Sequence, residues 1–142
     1  MIVLDTNVVS EPLRLAGDQA VAAWLDRQAA ETLYLTSVSL AELLAGIETM
    51  PAGRRRDSVG EGLSALLSEL FADRILPFDA VAARCYAEMM GRTRRAGMAV
   101  GFADGQIAAT ALAHGFLVAT RDAAPFAAAG VRVIDPWGAR GP

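Results

Sequence analysis

Residues 2–7 read IVLDTN, an apolar run that ends directly on a carboxylate, a hydroxyl and an amide. The apolar residues predict a short buried strand with Asp5 at its carboxyl end. Two roles are open for Asp5 at this point. It could cap a following helix, since Asp, Thr and Asn all favour that position. It could also belong to a chemical site, since open α/β sheets bind their ligands at the strand ends.

Strand and helix signals alternate along the rest of the chain. Strands are predicted at residues 2–5, 32–37, 74–79, 116–122 and 131–135. Helices are predicted at residues 18–30, 38–50, 63–72, 80–97 and 103–115, with a polar break at residues 51–62. Such alternation is typical of an α/β protein. We therefore expect a central parallel sheet of about four to five strands, flanked by helices on both faces.

Length and composition limit the class of protein. The 142 residues are 54% hydrophobic, and one domain spanning residues 1–142 suffices for this length. No uncharged apolar stretch approaches the roughly 20 residues of a membrane span. Asp5 interrupts the first apolar run too early for a signal peptide. We expect a soluble, cytoplasmic protein with no membrane partner.

Missing and single residue types exclude several kinds of catalysis. All 13 basic residues are arginine, which excludes lysine-dependent phosphate loops and Schiff bases. Cys85 is the single cysteine, so neither an internal disulfide nor a thiolate-rich zinc site is available. His114 is the single histidine and precedes a predicted helix end at Gly115, where a cation suits the helix dipole. Carboxylates remain as the side chains for catalysis.

Four acids fall at related places on this predicted map. Asp5 and Asp122 end strands, Glu42 lies one turn into the helix after the second strand, and Asp104 opens a helix. These places share one edge of a doubly wound sheet, so the four carboxylates are expected to converge. Clustered anions repel one another unless they hold protons or a cation. Oxygen ligands without His or Cys predict Mg²⁺ or Mn²⁺.

Each acid taken alone also has a structural interpretation. Asp5 and Asp122 could be helix caps, Glu42 a solvated helix position, and Asp104 a favourable charge on a helix dipole. The neighbours of Glu42 and Asp104 are small and apolar. We therefore expect these acids to face a closely packed crevice rather than open water.

Four motifs in one order resemble those of a known family. The motifs are LDTNVVSE with Asp5, SLAELLAG with Glu42, ADGQIAATA with Asp104 and VATRD with Asp122. They are similar to PIN-domain ribonucleases, and within these to VapC-type toxins of type II toxin–antitoxin systems, especially the FitB-like branch. The segments RILPFD and DPW are also similar to that branch, so the resemblance covers nearly the whole chain.

The resemblance implies metal-dependent cleavage of RNA. Asp5, Glu42 and Asp104 would hold a first Mg²⁺, and Asp122 would help to hold that ion or a second one. A metal-activated water would attack the scissile phosphate. Thr6 and Asn7 would orient Asp5 or contact phosphate, although Asn7 could equally serve to close the turn after the strand.

The same resemblance implies two protein partners. One is a VapB-type antitoxin that covers exposed apolar side chains and inserts a basic residue among the acids. The side chains that could receive it are Pro12, Leu13, Trp24, Leu25, Leu43, Leu44 and Ile47, although each of them could instead belong to the core. The other partner is a second copy of the chain, because helices 80–97 and 103–115 are rich in alanine and allow close packing.

The overall charge of −3 does not oppose binding of RNA, because electrostatic attraction is local. Arg54, Arg55 and Arg56 form one basic cluster, and residues 92–95 contain a second. Both are candidate RNA contacts, although a run of charges can also be only a solvated face. Arg121, beside Asp122, could meet a phosphate at the site itself.

Two other functions compete with the nuclease. A haloacid-dehalogenase-like phosphatase also begins with an aspartate at a strand end. It requires a second acid two residues later, where this chain has Asn7, and it requires a later lysine, which this chain lacks. The second alternative is a catalytically inactive PIN-fold module that binds RNA or a partner. Retention of all four acids favours the enzyme.

Overall fold

A five-stranded parallel sheet forms the centre of the computed structural model, which describes residues 1–138. The strands are β1 (Ile2–Leu4), β2 (Leu33–Thr36), β3 (Ile75–Leu76), β4 (Leu117–Ala119) and β5 (Val133–Ile134). Their spatial order is β3-β2-β1-β4-β5, and every neighbouring pair is parallel. The predicted α/β class is confirmed. The last four residues of the predicted domain lie outside the described residues.

Seven α-helices connect the strands within residues 1–138. They are α1 (Thr6–Ser10), α2 (Gln19–Asp26), α3 (Ser37–Glu48), α4 (Arg54–Leu66), α5 (Ala80–Arg95), α6 (Phe102–His114) and α7 (Ala123–Ala129). Short 3₁₀ turns occupy Glu11–Leu13 and Ala30–Thr32, and a π-helical turn occupies Leu67–Phe71. Within this part of the chain, none of the helices combines the length and the apolar composition that a membrane crossing requires.

The polar break predicted at residues 51–62 is wrong, because most of it is helical. Helix α4 begins at Arg54, directly after Gly53. Leu63 is the one buried residue of α4, so the first turns carry no apolar stripe from which periodicity could indicate a helix. The polar residues of this segment form a solvated helical surface.

Helix α7 was not expected either, since alanine and proline surround its single large apolar residue, Phe126. Phe126 is fully buried and anchors the helix. Gly130 ends it with a φ of +88°, in the left-handed region that favours glycine. Strand β4 ends at Ala119, so Asp122 lies at the start of α7 and not on the strand as predicted.

The sheet separates two apolar cores. Ile2 and Leu4 face one side, together with Leu33, Leu35 and Phe71. Val3 faces the other side, where it packs with residues of α5, α6 and α7. This alternation along β1 follows from the two-residue period of a strand. Burial on both faces explains why the first strand is a continuous apolar run.

The order of the strands places a topological switch point beside β1. From β1 the chain adds β2 and β3 on one side, and later β4 and β5 on the other. The direction of winding therefore reverses between β1 and β4. In open α/β sheets, ligands bind beyond the carboxyl ends of the strands at such a switch point.

Candidate active site

Asp5 lies directly after β1, at this switch point, and is buried, with 6% of the residue exposed. Its Oδ1 accepts a hydrogen bond from the backbone N–H of Thr6 at 2.8 Å, so Asp5 caps α1. Its Oδ2 accepts from the hydroxyl of Thr120 at 2.7 Å and from Nδ2 of Asn7 at 3.0 Å. The capping role considered for Asp5 is confirmed, and the same carboxylate stands at the switch point of the sheet.

Glu42 reaches the site from α3, one turn into the helix as predicted. The hydroxyl of Thr6 donates to its Oε2 at 2.7 Å, which links the start of α1 to α3 through side chains. Glu42 is exposed, so the closely packed crevice expected around it is wrong. The buried residues of α3 are Ser39 and Leu43, and Glu42 lies next to this buried stripe rather than within it.

Asp104 stands in the first turn of α6 and is half-buried. The carboxylate lies close to the backbone of Gly101, where an added Cβ would be 3.7 Å from its Oδ2. Gly101 precedes the helix and contributes no side-chain cap. The position confirms that Asp104 opens this helix, at the end where a negative charge suits the helix dipole.

Asp122 is exposed and occupies the N-cap position of α7 without capping it through its side chain. Its backbone N–H donates to Oγ1 of Thr120 at 3.0 Å. The carboxylate is therefore not used by the helix that it precedes.

Burial and mutual repulsion raise the pKa of two of these carboxyls. Desolvation is the main reason that the pKa of Asp5 lies above its ordinary value, and the charge of Glu42 adds to it, while three hydrogen bonds oppose the rise. The pKa of Asp104 is raised first by desolvation and then by the charges of Asp5, Glu42 and Asp122. Each of the four acids thus belongs to one electrostatic cluster.

The chemistry of this cluster fits a hard divalent cation. All four groups offer oxygen ligands, which Mg²⁺ and Mn²⁺ prefer. His114 ends α6, about 15 Å along the helix from Asp104 at the usual rise per residue. Within residues 1–138, no three acidic, histidine or cysteine side chains stand close enough to enclose one ion. The acids form an electrostatic cluster rather than a completed coordination shell.

Thr120 is the site residue that sequence reasoning missed. It lies in the VATRD motif, directly after β4, and is fully buried. Besides Asp5 and Asp122, it contacts Nδ2 of Asn7 at 3.2 Å. The signal in the sequence was its hydroxyl, which lies near the end of a predicted strand, two residues before Asp122. Asn7 contacts Asp5, and its Oδ1 accepts at 3.3 Å from the backbone N–H of Arg121, which follows β4 rather than β1.

Several of the predicted RNA-binding arginines have partners within the chain. Arg55 donates to the backbone oxygen of Leu13 at 2.7 Å, and Arg56 pairs with Glu48 at 2.6 Å. Arg92 donates to a backbone oxygen at the end of α7. The exposed Arg121 lies beside Asp122, with its guanidinium 5.4 Å from the ring centroid of Trp137.

An apolar groove of about 270 Å³ continues from the site between α1, α3 and α4. Thr6 and Glu42 of the site also line the groove, as do Ser10, Arg14 and Arg55. Its apolar lining consists of Leu13, Leu43, Ile47, Met50, Val59 and Leu63. Trp24 and Leu43 were expected to be exposed, but both are buried in the core because α2 and α3 pack them inwards. Leu44 and Pro12 are exposed as expected.

The family model for the PIN domain matches residues 2–131, which include all four acids. The chain belongs to the PIN-domain family. VapC ribonuclease Y4jK of Sinorhizobium fredii is 52% identical over 137 residues, which are 96% of this chain and 98% of that relative. Toxin FitB of Neisseria gonorrhoeae is 44% identical over 137 residues, with coverage of 96% and 99%. The resemblance to VapC-type and FitB-like toxins is confirmed.

A solved structure agrees with this placement in the PIN-domain family. The crystal structure of FitAcB from Neisseria gonorrhoeae matches with a TM-score of 0.91 and 44% sequence identity. The match covers 96% of this chain and 99% of the matched chain. The PIN-like fold expected from the motifs is therefore confirmed over nearly the whole length.

The raised pKa of Asp104 predicts a pH-dependent stability. The folded state keeps this proton to a higher pH than the unfolded chain, so stability falls as pH rises from about 3.9 through the raised pKa. Asp104→Asn removes the effect and should raise Tm at pH 7 in metal-free buffer. Each kcal/mol of relieved repulsion corresponds to roughly 2–4 °C for a chain of this length.

Thermal unfolding of both proteins from pH 3 to pH 8 measures this difference. The higher Tm of Asp104→Asn should disappear below about pH 3.9, where the carboxyl of Asp104 in the wild type is protonated in both the folded and the unfolded state. Asp73→Asn is the control, because Asp73 is exposed and precedes β3 at the opposite edge of the sheet. A Tm for Asp104→Asn that equals the wild type at pH 7 would contradict the repulsion.

Proposed function

We propose that this PIN-domain chain is a Mg²⁺-dependent endoribonuclease toxin of a toxin–antitoxin system, with Mn²⁺ as a second usable ion. One observation carries the proposal: a buried Asp5 and a half-buried Asp104 share one edge of the sheet, where the charge of Asp5 helps to raise the pKa of Asp104. A cation removes this cost by neutralising the charges. The VapC ribonuclease among the relatives supports RNA as the substrate.

Asp5, Glu42, Asp104 and Asp122 would hold the ion. When bound, Mg²⁺ supplies a water of lowered pKa as the nucleophile and neutralises the charge that develops on the phosphate. The hydroxyl of Thr6 holds one oxygen of Glu42 and leaves its other oxygen free. The exposed Arg121 stands beside Asp122, where its charge suits a phosphate of the RNA backbone.

The alternative is an inactive PIN-fold module that binds RNA or a partner without cleaving it. Such a module gains nothing from acids that raise one another's pKa, since repelling anions oppose both folding and the approach of phosphates. The cluster therefore favours the enzyme.

Removal of the carboxylate of Asp5 or of Asp104 tests the proposed chemistry. Asp5→Ala and Asp104→Ala should each reduce cleavage of a structured RNA to background, because each removes an oxygen ligand and a charge. At a concentration of 100 times its Kd, Mg²⁺ should stabilise the folded wild type by about 2.7 kcal/mol and thereby raise its Tm. It should raise the Tm of both variants less. Asp73→Ala is the control.

Circular dichroism confirms that the variants are folded before either assay is interpreted. Full cleavage by both folded variants would refute the assignment of the acids. Wild-type cleavage that persists in excess chelator would refute the requirement for metal.

We also propose that two copies associate. The alanines of α6 do not support this, because Ala108, Ala109 and Ala111 are buried within the chain. Exposed apolar side chains lie instead near the starts of α5 and α6: Val81 is 53%, Met98 40% and Phe102 71% exposed. Burial of such side chains between copies would remove apolar surface from water.

Light scattering at micromolar concentration tests the association. The wild type should have the mass of two chains, and Phe102→Arg should have the mass of one, because a charge cannot be buried at an apolar interface without a partner. Leu15→Arg is the control, since Leu15 is 89% exposed in a different surface turn. A wild-type monomer would count against the homodimer.

The groove next to the acids is the proposed site for a VapB-type antitoxin. It combines an apolar lining with the carboxylate of Glu42, so an apolar segment followed by Arg or Lys would match it in both respects. That basic residue would stand among the acids and oppose metal binding. Binding of the antitoxin and binding of the metal would then exclude each other.

Gly46 offers a direct test of the groove. It lies on α3 at the groove, and an added Cβ would have no atom within 4 Å. Gly46→Leu should therefore fold and cleave RNA, while its affinity for the small protein encoded beside this chain falls by more than about tenfold, or roughly 1.4 kcal/mol. Gly60→Leu on α4 is the matched control, because its Cβ also has open space and it does not line this groove.

Calorimetric titration measures both affinities. Equal binding by Gly46→Leu and the wild type would place the antitoxin elsewhere.

A further inference from the structure

Thr120 connects two of the four acids through a single atom. It is fully buried directly after β4. Its Oγ1 lies 2.7 Å from Oδ2 of Asp5, 3.2 Å from Nδ2 of Asn7 and 3.0 Å from the backbone nitrogen of Asp122. The one hydroxyl therefore touches the acid that follows β1, the amide of α1 and the backbone of the acid before α7.

The identities of these partners fix the direction of each hydrogen bond. A hydroxyl has one proton to donate and two lone pairs that accept. The amide of Asn7 and the N–H of Asp122 are both donors, so Thr120 accepts from them and donates its own proton to Asp5. Every hydrogen-bonding position of the hydroxyl is then used.

The number of hydrogen bonds that each oxygen accepts also distinguishes the two oxygens of Asp5. Oδ2 accepts from Thr120 and from Asn7, while Oδ1 accepts only from the backbone N–H of Thr6. Oδ1 thus keeps more free lone-pair capacity than Oδ2. Rotation of the carboxylate would break both bonds to Oδ2, so the hydroxyl of Thr120, with the shorter of the two, and the amide of Asn7 together keep Oδ1 available to a ligand.

We propose that Thr120 is a positioning residue, which orients Asp5 to present Oδ1 to the cation and holds the backbone of Asp122 at the same site. The inference rests on the proposed metal-dependent function. Hydrogen-bond partners that orient a metal ligand commonly contribute 10–100-fold to metal affinity or activity. A merely structural threonine would contribute to folding without this effect.

The chain contains a matched control for such a threonine. Thr110 is also fully buried, and its hydroxyl donates to the backbone oxygen of Gln106 within α6 at 2.8 Å. Thr110→Val and Thr120→Val remove the same buried hydroxyl and keep nearly the same volume. Thr120→Ser keeps the hydroxyl and removes only the methyl group.

Two measurements on the purified full chain test the proposal: the Kd of Mn²⁺ by electron paramagnetic resonance without RNA, and kcat and KM for RNA cleavage. Thr120→Val should weaken Mn²⁺ binding about 10–100-fold and lower kcat to a similar extent, with KM unchanged. Thr120→Ser and Thr110→Val should resemble the wild type in both. If Thr120→Val does not fold, Thr120→Ala, which also lacks the hydroxyl, is measured in its place.

Three results would overturn the proposal. Wild-type Mn²⁺ affinity and kcat in the folded variant without the hydroxyl would show that Thr120 does not position Asp5. A loss in Thr120→Ser as large as that in Thr120→Val would assign the effect to packing of the methyl group. Absence of Mn²⁺ binding by the wild type would refute the proposed function and this inference together, and is thereby distinguished from the first two results.

Discussion

The pairing of β1 with β4 is the constraint on which the rest of the site depends. Leu4 lies opposite Ala119 in register, and the backbone N–H of Asp5 continues the pairing by donating to Ala119 at 3.0 Å. This contact joins two segments separated by more than a hundred residues. It places Asp5 beside Thr120 at the point where the winding of the sheet reverses.

A buried carboxylate at that point has an energetic cost, which the fold offsets only in part. Three hydrogen bonds favour the charged form of Asp5, yet desolvation still raises its pKa. Asp104 has a raised pKa as well, and the other acids contribute to it. The fold therefore holds negative charge in an arrangement that a cation or a basic side chain would stabilise. This shared preference explains how one site could serve both catalysis and its inhibition.

The sequence predicted those features that depend on strand ends and on the order of elements. Asp5 and Glu42 were placed correctly because each follows a clear apolar strand, and Asp104 because it opens a clear helix. The exposure of Glu42 was not predicted, since a small shift around a helix axis moves a side chain from the core to solvent. The first turns of α4 and the whole of α7 lack an apolar stripe, so periodicity could not reveal them. The role of Thr120 depends on a contact across the sheet, which no local pattern contains.

The central claim is that the four acids bind the metal that acts on RNA. Anomalous diffraction at the manganese edge, from crystals grown with Mn²⁺, tests it most directly. We predict an anomalous peak in contact with Asp5 and Asp104, which is lost in crystals of Asp104→Asn. Crystals of active protein with saturating Mn²⁺ and no peak among the four acids would contradict the account.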